Sequence, residues 1–433
     1  MEFNYETIKV LAKESGRKVT DLIALAAQND PFYTGTPGEL TLAEWFADFY
    51  HSRYTPGTRV HVRRCHYKIL SLGMMLPNGK PYENTEECWN TLLLATKAAR
   101  YLKLVDVAMF EDRKNDDPIS YISDSSYDPE INVYGDLYSS DLQLPDFPDL
   151  PSYNIDNYYA AQGYHIELWC EKTTMNDVLL PLCQRYGAVL QTGAGELSIT
   201  ATKALAERIQ QRGKPARIFY ISDFDPAGQS MPVAVARKLE YFVRSDQLEV
   251  DVRLFPLVLT AAQVRQYRLP RTPIKESERR KDGFEKHHGT GAVELDALEA
   301  LQPGELQRIL RTYIESYYDT NLERRTRAAR SVLEQDLQQM RHETLERYMN
   351  QVDERRQELE QIRADFGPRM QKYSDKLQLL WQEMSDELKA STPDLDEYPL
   401  PEAEAATEIG TGLYNSERDY LEQIDVYKSF QGK

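Results

Sequence analysis

The sequence predicts an α/β protein, with a parallel sheet covered by helices on both faces, an α-rich domain ahead of it and a long helical region behind. Three observations support this. Between residues 163 and 256, short apolar runs alternate with helical patterns, as βαβ units do. Residues 1–112 show apolar residues at helical spacing between turns, and residues 321–391 are charged, with apolar residues three or four apart.

In the N-terminal part, ELTLAEWFADFY sets Leu42, Trp45, Phe46 and Phe49 on one helical face. TRVHVRRCHYKILSLG follows a TPG turn and should stop at Gly73, and TEECWNTLLLATKAARYLKLV should start with Thr85 as its N-cap. Three helices with a short loop between the last two fit a helix-turn-helix or winged-helix domain over 1–112. Residues 113–162 are rich in Asp, Pro, Ser and Tyr without a period and read as an acidic linker or covering loop.

In the central part, GYHIELWC, AVLQT, ARIFYIS and VDVRLFPL are the expected strands. The helices between them are TTMNDVLLPLCQRYG, capped by Thr174 and stopped at Gly187, then SITATKALAERIQQRG from Ser198, then QSMPVAVARKLEYFV. Continuous apolar strands of this kind belong to a sheet buried on both faces. This domain, with a C-terminal extension holding VRQYRLPRTPIKESERRK and AVELDALEAL, is expected over 163–320. Over 321–391, Leu359, Ile362, Phe366, Met370, Tyr373, Leu377, Leu380, Met384 and Leu388 keep helical spacing. Gly367-Pro368 interrupts them, which predicts a kinked helix, an antiparallel helical hairpin or a coiled coil. The acidic, Pro-rich stretch 392–433 is expected to be a poorly ordered tail.

Composition narrows the function. The 433 residues hold 52 Lys or Arg against 69 Asp or Glu, a net charge of −17, which argues against a protein that coats nucleic acid nonspecifically. The charge is polarised, however. From Asn115 to Ala160 there are ten acids and no base, whereas RVHVRRCHYK, residues 59–68, holds four bases and no acid. No run of about eighteen apolar residues occurs, so no membrane span is expected. The polar N-terminus and four scattered cysteines, Cys65, Cys88, Cys170 and Cys183, suggest a cytoplasmic protein with reduced thiols.

Two of the expected strands end in acid. HIELWC runs into Glu171, and RIFYIS runs into Asp223-Phe224-Asp225. Ligand sites in parallel sheets form at the carboxyl ends of strands. Alternation along an extended chain turns Asp223 and Asp225 to one side and Phe224 to the other, and Pro226-Ala227-Gly228 should then bend the chain towards the next helix. Three carboxylates without His or Cys suit Mg²⁺ or Mn²⁺ rather than zinc. Such an ion neutralises charge on a phosphodiester as it is cut. The alternative is a solvated DxD turn.

WCEKTTMNDVLL, the loop QTGAGELS and YISDFDPAGQSM resemble the Toprim domain, and more narrowly that of the topoisomerase VI A subunit and the meiotic double-strand-break transesterase. The resemblance covers roughly residues 40–112 and 160–315. It implies Mg²⁺ at Glu171, Asp223 and Asp225, and it places a catalytic tyrosine, carried by the family's winged-helix domain, on Tyr67 in VRRCHYKIL. Arg63, four residues earlier on the same helical face, would help the phenol ionise or hold the scissile phosphate. His66 stands where relatives commonly show an aromatic and is read as a hydrogen-bonding bystander.

The activity so implied is type IIB topoisomerase-like cleavage of double-stranded DNA through a 5′-phosphotyrosine link, by a homodimer in which each tyrosine meets the other subunit's metal. With no nucleotide-binding fingerprint, any ATP-driven step requires a separate ATPase subunit. The alternatives are a Toprim nuclease of the DNA-defence type, in which water attacks, and a non-cleaving DNA-binding subunit. Outside this set, Lys172 reads as a surface lysine or a phosphate contact, and Glu294 and Asp296 as local structure. His287-His288 reads as solvent-exposed or as touching the DNA backbone, and Cys170 as a packed small residue.

Overall fold

The computed structural model describes residues 4–111, 117–122, 128–135, 137, 146–193, 198–365 and 369–432, with the backbone alone at 369–371. The chain divides into two compact units. The first comprises Met1–Ile122, Tyr164–Tyr317 and Thr407–Lys433, and the second Ser123–Gly163 and Tyr318–Ala406.

The strands are β1 (Ile119–Ser120), β2 (Glu130–Tyr134), β3 (Ser152–Asp156), β4 (His165–Cys170), β5 (Val189–Thr192), β6 (Ala216–Ile221), β7 (Val252–Val258) and β8 (Tyr414–Asn415). In the first unit six of them form one sheet in the order β1-β5-β4-β6-β7-β8. The four expected strands, β4 to β7, lie parallel at its centre, with Glu167 opposite Val189 on one side and Ile218 on the other. The sheet is nevertheless mixed, because β1 pairs antiparallel with β5 and β8 antiparallel with β7. Both edge strands come from segments read as linker and tail.

The first unit's helices are α1 (Tyr5–Ser15), α2 (Pro37–Arg53), α3 (Val62–Ser71), α4 (Glu86–Tyr101), α5 (Asn176–Tyr186), α6 (Ile199–Arg212), α7 (Pro226–Ser245), α8 (Ala261–Gln266), α9 (Lys281–His288), α10 (Leu295–Leu301) and α11 (Glu305–Ile314). The second unit adds α12 (Leu322–Glu346), α13 (Met349–Ala364) and α14 (Arg369–Ala390), and α15 (Tyr420–Phe430) returns to the first.

The sheet is covered on both faces. Trp169, Ile218, Tyr220 and Leu254 pack with Leu205 and Ile209 of α6 and Val235 and Leu239 of α7. On the other face Phe219 and Phe255 meet Tyr317, and Tyr186 of α5 bonds Glu315 just past α11 at 2.5 Å. Helices α2, α3 and α4 form where expected and share their own core of Phe46, Phe49, Tyr50, Ile69, Leu92 and Phe110. Thr85 does cap α4, accepting a hydrogen bond from the Cys88 amide. Residues 4–33, expected within that helical domain, instead pack Ile8, Leu22 and Phe32 against the α7 face of the sheet. Their anchor is ionic: Arg237 of α7, wholly buried, binds the Asp30 carboxylate at 3.1 Å. Thr174 does not cap α5, because a 3₁₀ turn over Thr173–Met175 precedes that helix.

The expected disordered tail is a further difference. Residues 413–432 carry β8 and α15, and Tyr414, Tyr420, Ile424 and Tyr427 are buried in the sheet's core. The acids that gave this stretch its disordered look are ion partners, Glu408 binding Arg217 and Arg253 and Glu417 binding Arg253. Average acidity hid an apolar helical face.

In the second unit β2 and β3 make an antiparallel hairpin, with Glu130 opposite Asp156. Val352, Leu359 and Ile362 of α13 pack against Tyr373, Leu377, Leu380, Met384 and Leu388 of α14. Glu358 pairs with Lys376, and Arg347 pairs with Glu387. Arg347 lies just ahead of α13 and Glu387 near the end of α14, whereas Glu358 and Lys376 lie further along α13 and earlier in α14, so the two helices run antiparallel. Phe366 and the Gly367-Pro368 break fall outside the described residues. Among those residues, no helix is long and apolar enough to cross a membrane.

Candidate metal-binding carboxylate site

The chain leaves β4 to form β5 on one side of it and then crosses to form β6 on the other, so β4 and β6 flank the point where the strand order reverses. The carboxyl ends of strands at such a reversal open into a crevice, the usual ligand position of α/β sheets. Glu171 follows β4 and Asp223-Phe224-Asp225 follows β6. The Glu171 amide is held by the Ile221 carbonyl at 3.2 Å, which ties the two strand ends together.

Asp223, Phe224 and Asp225 continue as extended chain because Phe224 exchanges backbone hydrogen bonds of 2.9 and 3.0 Å with Val293. The Phe224 ring is fully buried against Phe284 and His288. His288 is therefore packed rather than free in solvent. Pro226-Ala227-Gly228 is not a separate bend but the first turn of α7. Asp225 is its N-cap, with Oδ1 accepting the Gly228 amide at 2.6 Å, and Pro226 needs no hydrogen-bond acceptor at that position. Gly228 is dictated by packing: a Cβ there would lie 2.1 Å from the Asp223 carbonyl oxygen.

Asp223 is 8% exposed and accepts the Leu295 amide on Oδ1 at 2.7 Å. Its Oδ2 meets Lys172 Nζ at 3.1 Å. The same ammonium binds Glu294 at 3.1 Å and Asp296 at 2.8 Å. Lys172 is thus a tethered counter-ion, and its partners raise its pKa well above the ordinary lysine value even though burial opposes them. Glu294 and Asp296 do fix local structure, through this ammonium. Their acid-apolar-acid spacing, the same as at Asp223 and Asp225, was the available signal.

Burial, followed by the charges of Asp223 and Asp225, pushes the Glu171 carboxyl up to about 7 against the opposing pull of Lys172. Burial also raises Asp223. Glu171 Oε2 is buried and has no hydrogen-bond partner. Among the described residues, no group of three or more His, Cys, Asp or Glu side chains stands close enough to hold an ion. Lys172 occupies one oxygen of Asp223 with its ammonium, which Glu294 and Asp296 also share. The donor chemistry still fits a hard divalent cation: carboxylate oxygens only, an unpartnered oxygen on Glu171, and mutual repulsion that a cation would relieve.

Tyr67 and Arg63 lie elsewhere, on α3. Tyr67 is 60% exposed, and Arg63, Arg64 and Lys68 are exposed beside it. His66 is buried and bonds Tyr82 at 2.7 Å and Asn84 at 3.3 Å, as a bystander would. No described hydrogen bond or ion pair joins this group to the carboxylates. Cys170 is buried and its thiol is pushed up to about 12, as for a packed, inert residue. No protein-family model matches the chain, and no curated protein matches it either.

Proposed function

We propose that residues 163–320 of the first unit form a Toprim-type domain that cleaves DNA strands with Mg²⁺ or Mn²⁺ held by Glu171, Asp223 and Asp225, partnered by a winged-helix-like lobe in the same unit that bears Tyr67. The observation that carries the reading is the position of Glu171 and of Asp223-Phe224-Asp225 at neighbouring carboxyl ends, where the strand order reverses. When bound there, a divalent cation would neutralise charge on the phosphodiester.

The chain's own residues account for the rest. Tyr67 attacks phosphorus, so a Tyr67 Oη–P bond forms to the 5′ side and the P–O3′ bond breaks. The phenolic proton leaves Tyr67, and the departing 3′ oxygen takes up a proton to become a hydroxyl. The neighbouring exposed cations Arg63, Arg64 and Lys68 hold phosphate oxygens. A homodimer would bring one subunit's Tyr67 to the other's carboxylates, and any ATP-driven step would come from a separate subunit.

A second reading, a Toprim nuclease in which water attacks, is favoured by one observation: Tyr67 sits in a lobe with its own core and without a bond to the carboxylates. Tyr67→Phe decides between them, because it removes only an exposed hydroxyl. The expected result is loss of cleavage by several orders of magnitude, together with protein covalently held on the 5′ ends cut by the wild type. Cutting that falls only about ten- to hundredfold, the cost of one lost hydrogen bond, with no adduct in the wild type, would establish the nuclease instead.

A further inference from the structure

One stretch beside the carboxylates has no part in the chemistry above. Residues 265–288 hold eight Lys or Arg and four Asp or Glu, a net of +4 in a chain of −17. The acids within it are largely engaged: Glu276 binds Lys281, Glu278 binds Arg280, and Glu285 accepts the Gly291 amide. Arg265, Arg268, Lys275, Arg279 and Lys286 remain exposed, with no ion pair or side-chain hydrogen bond among the described residues. Against these five unpaired cations the same 24 residues hold one exposed acid without an ion pair, Asp282, so the stretch is locally cationic in an acidic chain.

The stretch is also fixed against the carboxylates. Thr272 and Ala292 exchange backbone bonds of 2.8 Å each way, and the next residue, Val293, pairs with Phe224 between the two aspartates. Arg271 clamps the turn by donating to the carbonyls of His288, Gly289 and Gly291 at 2.7, 2.9 and 3.0 Å, and its guanidinium lies over the Phe224 ring. Phe284 of α9 packs on the same ring at 5.2 Å. Arg280 reaches Ser230 in α7. The cations are therefore carried on a braced platform rather than a free loop.

We propose that residues 265–288, chiefly Lys275, Arg279 and Lys286, form a surface that binds the phosphate backbone of a nucleic-acid strand beside the carboxylates. This rests on the reading that the carboxylates act on nucleic acid. It adds a second cationic surface, built on a different element from the Arg63–Lys68 face of α3. Unpaired cations held in fixed positions bind a polyanion by releasing its condensed counter-ions, with little ordering of the protein.

The test is binding of the full chain to a fluorescent duplex DNA in EDTA, so that no metal-dependent cutting intervenes, over a series of salt concentrations. Each phosphate contact contributes about 0.9 to the slope of log affinity against log salt. Lys275→Gln/Arg279→Gln/Lys286→Gln should lower that slope by about 2–3 and weaken binding. The charge-keeping Lys275→Arg/Arg279→Lys/Lys286→Arg should leave the slope as in wild type, and so should the charge-matched control Lys13→Gln/Arg324→Gln/Arg327→Gln. If the first triple variant does not fold, each single substitution should still remove about 0.9. An unchanged slope in the neutralised variants overturns this surface while leaving the nucleic-acid reading intact. A wild type that binds no duplex at low salt overturns both.

Discussion

Replacing Glu171 by Gln keeps the shape of the side chain and removes the charge that burial and two neighbouring aspartates disfavour. The Glu171 carboxyl is raised from 4.5 to about 7. A folded-state pKa above the unfolded one gives a contribution that is fully present below about 4.5 and is lost as pH rises through 7. The 2.5-unit difference between 4.5 and 7 corresponds to about 3.4 kcal/mol at most. Glu171 is only partly buried, so solvent screening reduces this to about 1–2 kcal/mol. Glu171→Gln should therefore melt about 1–3 °C above wild type at pH 8 and together with it near pH 4.5. Added Mg²⁺ relieves the same repulsion. It should stabilise the wild type at pH 8 by about 2.7 kcal/mol at a hundredfold excess over Kd, far less at pH 5, and the variant hardly at all. Thermal melts at the two pH values, with and without Mg²⁺, measure all of this. The reasoning fails if the variant is no more stable than wild type at pH 8, or if Mg²⁺ stabilises both equally.

Lys172→Met removes a cation that binds Asp223, Glu294 and Asp296. It should lower the melting temperature without metal and enlarge the Mg²⁺-induced rise, and a smaller rise than in wild type would contradict the role of competing counter-ion. Gly228→Ala places a Cβ 2.1 Å from the Asp223 carbonyl oxygen and should cost about 1–3 kcal/mol in a denaturant titration, with Mg²⁺ stabilisation reduced as Asp223 shifts. Glu167 is buried between Arg208, His165 and the Trp169 indole, so Glu167→Gln leaves Arg208 uncompensated and should cost about 3–5 kcal/mol by the same titration. Its carboxyl lies at about 2, against burial, because His165 and Arg208 bind the charged form. The stability it supplies is therefore present above 4.5 and lost as pH falls towards 2, and acid titration of the variant should show a shallower loss over that window.

By itself the sequence determined the four parallel strands, the helices between them and the acids at their ends. Continuous apolar runs such as IELWC and RIFYI have no stable place except a sheet covered on both faces. Alternation along the chain put Phe224, between the two aspartates, into the core. The helices α2 to α4 were legible for the same local reason, as was the Thr85 cap. What only the tertiary structure decided is long-range. The order β5-β4-β6-β7 brings Glu171 beside Asp223, and no local pattern specifies which strands become neighbours. Two of the three partners of Lys172 lie more than 120 residues away in sequence, at Glu294 and Asp296, so its lone appearance after Glu171 could not disclose a counter-ion. Strand β8 and helix α15 were hidden by acids whose bases, Arg217 and Arg253, are far off along the chain. Local periodicity reports which face of an element is apolar. Which surface will cover that face, and which distant charge will neutralise an acid, depends on free energy gained only once the chain has closed on itself.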